Sequence, residues 1–111
     1  MKNKIKKIHF VGIGGSGMSG IAEVMHTLGF KVTGSDTTES TSVKYLKKIG
    51  IKIFNKHTAS NIKGVNVLVI SSAISNQNIE FKTALDNKIP IIPRAEMLSE
   101  LMRFKKGIAV A

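Results

Sequence analysis

The chain of 111 residues contains no cysteine. That excludes a disulfide framework, a thiolate metal site and a cysteine nucleophile, and it fits a reducing compartment. Aromatic residues are scarce: five Phe, one Tyr and no Trp. Acidic residues are outnumbered seven to seventeen by Lys and Arg, for a formal net charge of +10. A nucleic-acid surface would need that charge gathered near aromatic or base-reading groups, and the lysines are instead spread along the whole chain. Lys, Ile and Asn make up a third of the residues. The basic excess therefore reads chiefly as AT-rich codon usage, with attraction of an anionic ligand as a lesser consequence. No apolar run approaches the roughly 20 residues that a membrane-spanning helix needs. The Lys-rich residues 1–7 begin like a secretory leader, but His9 and the glycines break the apolar stretch and no small-residue cleavage site follows. A cytoplasmic protein without membrane or nucleic-acid partners is expected.

There is no repeat, low-complexity tract or Pro/Ser-rich linker, and the length suits one domain. Short apolar segments at residues 8–13, 31–35, 51–54, 65–70 and 89–92 read as strands. Helical spacing fills residues 16–28, with Met18, Ile21, Ala22, Met25 and Leu28 on one face and Gly29 beyond the end. Further helices are expected at residues 41–49, 78–87 (presenting Phe81, Ala84 and Leu85) and 94–104, and a β-like run at 107–111. Parallel strands need crossover helices, so this alternation predicts an α/β, Rossmann-like, doubly wound parallel sheet of about five strands with helices on both faces. Strand four, the most hydrophobic, is expected near the centre beside strand one. Strand five, hemmed by Pro90 and Pro93, is expected at an edge. Ligands of such sheets sit beyond the carboxyl ends of the strands, where the strand order reverses.

What the chain has in abundance is glycine in one place. Residues 9–30 read HFVGIGGSGMSGIAEVMHTLGF, with four glycines between positions 12 and 17. Gly12, Gly14 and Gly17 form G-x-G-x-x-G at the junction of strand one and helix one. The first glycine permits a tight turn, the second lets phosphate oxygens approach the main chain, and the third lets the helix pack on the strand. Gly12, Gly14, Gly15, Ser16, Gly17 and Met18 are therefore the candidate diphosphate cradle, with free N–H groups at the positive end of the helix. Asp36 ends strand two; it reads either as a ribose-hydroxyl acceptor, which points to NAD, or as a turn residue. Ser71 and Ser72 end strand four and suit sugar or phosphate contacts, or simply the turn. His9 reads as a hydrogen-bonded core residue, His26 as exposed, and His57 as a loop residue. No trio has metal-ligand spacing, no nucleophile is paired with a base, and no G-x-x-x-x-G-K-[ST] loop is present. No catalytic residue and no metal site are assigned to this chain.

Four segments together are more specific: HFVGIGGSGMSGIAEV, GSD at residues 34–36, SSAI at 71–74, and RAEMLSELMRFKKGIAVA at 94–111. Jointly they resemble the N-terminal domain of the Mur ligase family of peptidoglycan synthesis, in the branch that adds L-alanine to UDP-N-acetylmuramate. The resemblance implies that residues 1–106 form a domain holding the UDP part of that substrate rather than NAD. Residues 107–111 would be the first strand of a central ATP-binding domain, with the chain ending before the ATP loop. ATP and Mg2+ would serve the full-length enzyme, with no cofactor held by this chain. ATP would phosphorylate the lactoyl carboxylate, and the amine of L-alanine would attack the acyl phosphate. Residue by residue, the resemblance implies a diphosphate cradle at Gly14 to Met18, Asp36 near uridine or ribose, and Ser71, Ser72 and Ala73 along the substrate. It also gives His57 a place in the site. One departure is Asn78-Ile79-Glu80, where the family often has Asn-Pro-Glu; this should relax the helix start without abolishing binding. The chain by itself is expected to be inactive. Two other readings of the same fingerprint are an NAD-dependent oxidoreductase and a stand-alone nucleotide-sensing module.

Overall fold

The computed structural model describes residues 7–97 and 99. Five strands and three helices alternate: β1 Lys7–Val11, α1 Met18–Thr27, β2 Lys31–Ser35, α2 Thr41–Lys48, β3 Lys52–Phe54, β4 Val67–Ile70, α3 Ile79–Asp86 and β5 Ile91–Pro93. A 3-10 turn, Ala59–Ile62, lies in the β3–β4 connection, and residues 94–97 start a further helix. The expected β-like run at 107–111, and with it the domain boundary at 106, lies outside the described residues. So do Leu98, Leu101 and Met102 of the last expected helix.

All strand pairs are parallel, in the order β3-β2-β1-β4-β5. The chain leaves β1 in one direction and returns across it to β4, so the reversal falls between these two strands. The central position belongs to β1; β4 lies beside it, flanked by β1 and β5. The edge position expected for β5 is observed, and Pro93 pairs opposite Ile70 there, where a missing N–H leaves no inner ladder bond unmade.

Side-chain alternation sorts the core onto two faces. Ile8 and Phe10 of β1 pack with Met18, Ile21, Ala22 and Met25 of α1, Leu46 of α2 and Met97. Val11 and Leu68 pack on the other face with Ile62 and Ala84 of α3. The α/β, Rossmann-like sheet covered on both faces is therefore the observed fold.

Three local readings are corrected. β1 stops at Val11, two residues short of expectation, because Gly12 adopts φ +74°. The N–H groups of Gly12 and Ile13 then both donate to the Ser35 carbonyl, at 2.8 and 3.1 Å. His26 is half-buried, with Nε2 3.1 Å from the Ile49 carbonyl at the end of α2. On α3, Leu85 is 57% exposed while Glu80 is fully buried. Of the expected inward face Ala84 is buried and Phe81 half-buried, so only Leu85 is misplaced, while Glu80 is drawn under the sheet by hydrogen-bond donors from distant segments. Asn78 caps this helix with its side-chain oxygen, accepting from the N–H groups of Glu80 and Phe81 at 2.8 and 3.4 Å. That fixes the helix start without the proline.

Candidate functional site: an anion cradle at the carboxyl edge of the sheet

The glycine loop leaves β1 at the point where the strand order reverses. Gly15 N–H donates back to the Gly12 carbonyl (2.9 Å) and Met18 N–H to the Gly15 carbonyl (3.0 Å), winding the loop tightly into α1. Gly17 begins that helix at φ +79° without a side-chain cap, a conformation that a residue with Cβ enters at a cost. The N–H groups of Ser16 and Gly17 find no hydrogen-bond acceptor among the described residues. They stand at the end of a helix whose dipole amounts to about half a positive charge.

Arg94, immediately after β5, brings a second positive group to this place. A Cβ added at Gly17 would lie 2.9 Å from Arg94 Nη1 and 3.3 Å from its Cζ. The guanidinium thus lies against the start of α1, in space that only a glycine leaves open. Ser16, Gly17 and Arg94 thus bring two free N–H groups and a guanidinium to one place.

Gly14 lies against protein side chains. Its N–H donates to Asp36 Oδ2 at 2.8 Å. A Cβ there would meet Val43 Cγ2 at 2.7 Å, Asp36 Oδ2 at 2.9 Å and Ser40 Oγ at 3.0 Å. The close approach at Gly14 is therefore between the loop and the start of α2. Asp36 also accepts from Thr38 N–H through Oδ1 at 2.9 Å, so its carboxylate braces both the glycine loop and its own turn. Gly34, one residue before β2 ends, plays a matching part: any Cβ there would overlap Ile13, whose side chain is fully buried.

The other expected residues gather around this edge in two groups. Ser71 is half-buried while Ser72 and Ala73 are exposed; Ser71 Oγ accepts from Ala73 N–H at 3.3 Å, closing a small turn. That turn meets the glycine loop through Ile74, whose Cδ1 lies 3.4 Å from the Cβ position of Gly12. His57 lies on the other side, after β3, with Nδ1 2.9 Å from Ser35 Oγ. Ser35 ends β2 opposite Val11.

Beneath His57 is a buried polar network. Glu80 Oε1 accepts from Ser35 Oγ (2.7 Å) and His9 Nε2 (3.0 Å), while Oε2 accepts from Asn61 Nδ2 (2.6 Å) and Thr58 N–H (3.1 Å). His9 is a buried, hydrogen-bonded core residue as expected; its Nδ1 is 2.8 Å from Thr33 Oγ1. Burial works to raise the Glu80 pKa, but hydrogen bonds from His9, Ser35 and Asn61, with the attraction of His9, outweigh it and hold the group below its ordinary value. No buried side-chain nitrogen or oxygen among the described residues is left without a partner.

Sequence reasoning missed Arg94, Ser35 and Glu80. A serine closing a strand and an acidic residue in a first helical turn carry no local signal of burial. Arg94 was visible only as the first residue of a recognisable segment. Among the described residues there is no group of three His, Cys, Asp or Glu side chains that could hold a metal ion, and no helix is long and apolar enough to cross a membrane.

A model of the Mur ligase family, catalytic domain, matches residues 7–106. The chain belongs to the Mur ligase family. The chain is 54% identical, over all its 111 residues, to a UDP-N-acetylmuramate–L-alanine ligase of Neisseria gonorrhoeae, covering 24% of that protein. A crystal structure of UDP-N-acetylmuramate-alanine ligase from Thermotoga maritima superposes with a TM-score of 0.86 and 36% identity, over 90% of this chain and 23% of the other. A UDP-N-acetylmuramate:L-alanyl-gamma-D-glutamyl-meso-diaminopimelate ligase from Neisseria meningitides follows at a TM-score of 0.79 and 28% identity, over 86% of this chain and 31% of the other. The chain thus spans about a quarter of the length of the curated relatives it matches. The Mur ligase relationship accounts for the strand order, and the loop-and-arginine arrangement is built on that frame.

Proposed function

We propose that this Mur ligase domain binds the UDP group of UDP-N-acetylmuramate, as part of a ligase that joins L-alanine to that substrate in peptidoglycan synthesis. The observation that carries the reading is the Arg94 guanidinium lying against Gly17 at the start of α1. A diphosphate has the charge and the acceptor oxygens for this cradle. The loop Gly12, Gly14, Gly15, Ser16, Gly17 and Met18 holds it, with Ser16, Gly17 and Arg94 donating and Gly14 keeping the loop in place through Asp36. Asp36, His57, Ser71, Ser72 and Ala73 border the uridine and sugar portions. ATP, Mg2+ and L-alanine belong to parts of the ligase beyond this domain.

The identities to ligases named for this substrate support the uridine reading over NAD. So does Asp36, which already accepts two backbone hydrogen bonds and has correspondingly less capacity for paired ribose hydroxyls. Titration calorimetry with UDP-N-acetylmuramate, UDP and NAD tests the choice: the uridine nucleotides should bind more tightly. Micromolar NAD binding with no response to UDP would overturn it.

Arg94→Ala should weaken UDP-N-acetylmuramate binding about 10- to 100-fold, the range expected for losing a charge-assisted hydrogen bond to phosphate. The salt dependence of binding should flatten with it, because a cation that meets the ligand is removed. Unchanged affinity and salt dependence in a folded variant would remove Arg94 from the cradle.

A further inference from the structure

The network under His57 has a direction that follows from counting protons. A serine hydroxyl has one hydrogen to give. Ser35 Oγ lies 2.7 Å from Glu80 Oε1, a carboxylate oxygen that can only accept, so the Ser35 proton points at Glu80. Toward His57 the same hydroxyl is then an acceptor, and His57 Nδ1, 2.9 Å away, must be the donor. In its neutral form His57 therefore carries its hydrogen on Nδ1 and a lone pair on Nε2. The side chain is 23% exposed, and Nε2 has no hydrogen-bond partner among the described residues.

The carboxylate that sets this direction is well secured. Glu80 is fully buried, and donors from β1, β2 and the β3–β4 connection converge on its two oxygens. Protonation of Glu80 would release the Ser35 hydroxyl to turn, but the same donors hold the group ionised.

We propose that Glu80, acting through Ser35, holds neutral His57 as the Nδ1–H tautomer, so that Nε2 accepts a hydrogen bond from the nucleoside half of the bound UDP group. This rests on the reading of the edge as a UDP site. The chemistry selected is a donor: the imide N–H of uracil or a ribose hydroxyl. Phosphate oxygens are acceptors and offer nothing to a lone pair, so neutral His57 contributes to nucleoside recognition while Arg94 and the loop serve the diphosphate. Ser35 and Glu80 are positioning residues.

Two measurements test this, and the first needs neither ligand nor variant. Long-range proton–nitrogen NMR of the imidazole rings, in the free protein at a pH where His57 is neutral, should show Nδ1 protonated and Nε2 with the shift of an unprotonated ring nitrogen. The opposite tautomer would overturn the inference. The second compares UDP with N3-methyl-UDP, 2′-deoxy-UDP and 3′-deoxy-UDP by calorimetry. One analogue should bind about tenfold more weakly than UDP, the loss of a single neutral hydrogen bond, and its identity tells the imide from the hydroxyls. In Ser35→Ala, where His57 Nδ1 loses its hydrogen-bond partner and keeps only the Glu80 carboxylate at 3.6 Å, that discrimination should shrink to about twofold or less. Equal binding of all four by the parent, or discrimination undiminished in a folded Ser35→Ala protein, would overturn the acceptor role. Failure of the parent to bind UDP at all would overturn the site reading and the nucleoside contact with it, a result distinct from a wrong tautomer.

Discussion

Glu80→Gln is expected to destabilise the domain by about 3–5 kcal/mol, as breaking a buried charged network does. Glutamine keeps the volume and one acceptor oxygen but replaces the other with an NH2 group. Either the pair Ser35 and His9 or the pair Asn61 and Thr58 then faces a donor instead of an acceptor. Total stabilities of ordinary domains are only about 5–15 kcal/mol, so this single change removes a large share. The melting temperature should fall on the order of 10–30 °C. The acid dependence carries a sign. The folded-state pKa of Glu80 lies below its ordinary value of 4.5, so its stabilisation is present above that value and is lost as pH falls through the lower, folded one. Over the acid range below about pH 5 the parent should lose stability more steeply than Glu80→Gln. Denaturant melts across that range measure both effects. A variant within about 1 kcal/mol of the parent, with the same acid slope, would show that the network contributes little.

Gly14→Val is expected to damage both stability and binding. Gly14 is not among the glycines with positive φ, so the demand there is for space. The new Cβ would meet Val43 Cγ2 at 2.7 Å and the Asp36 carboxylate at 2.9 Å, and its γ-methyls add to the crowding. Overpacking of this kind costs about 1–3 kcal/mol. Where the loop yields by giving up the hydrogen bond to Asp36, Ser16 and Gly17 shift relative to Arg94. Affinity for UDP-N-acetylmuramate should then fall about a hundredfold, equivalent to two charge-assisted hydrogen bonds of about 1.5 kcal/mol each. Val43→Ala in the same chain separates the causes. If the clash with α2 is responsible, the double variant should regain most of the lost melting temperature and at least part of the affinity. A Gly14→Val protein that melts like the parent but does not bind would instead mean that the valine meets the ligand directly. Normal binding together with normal stability would leave Gly14 as an ordinary turn residue.

The polar interior marks the limit of local pattern. The apolar periodicity of residues 78–87 offered Phe81, Ala84 and Leu85 as the buried face, yet Glu80 and Ala84 are buried and Leu85 is exposed. Periodicity reads a helix face by hydrophobicity, and it has no means of registering that four donors wait beneath the sheet. Asp36 was legible as the acidic residue closing β2, but its partners at Gly14 and Thr38 depend on how the two turns meet.

By itself the sequence determined the alternation of strands and helices, the parallel sheet covered on both faces, the edge position of β5 and the tight glycine loop at the β1–α1 junction. Each follows from interactions within a few residues, where side-chain period, capping and glycine conformation are written directly in the chain. Only the tertiary structure decided that Arg94 lies against Gly17, that Asp36 takes the Gly14 N–H, and that Ser35 and Glu80 set the direction of the His57 hydrogen bond. These contacts join residues 22 to 77 positions apart. The parallel register carries the ends of β1, β2 and β5 to one edge of the sheet, and burial there requires each polar group to find its partner across space.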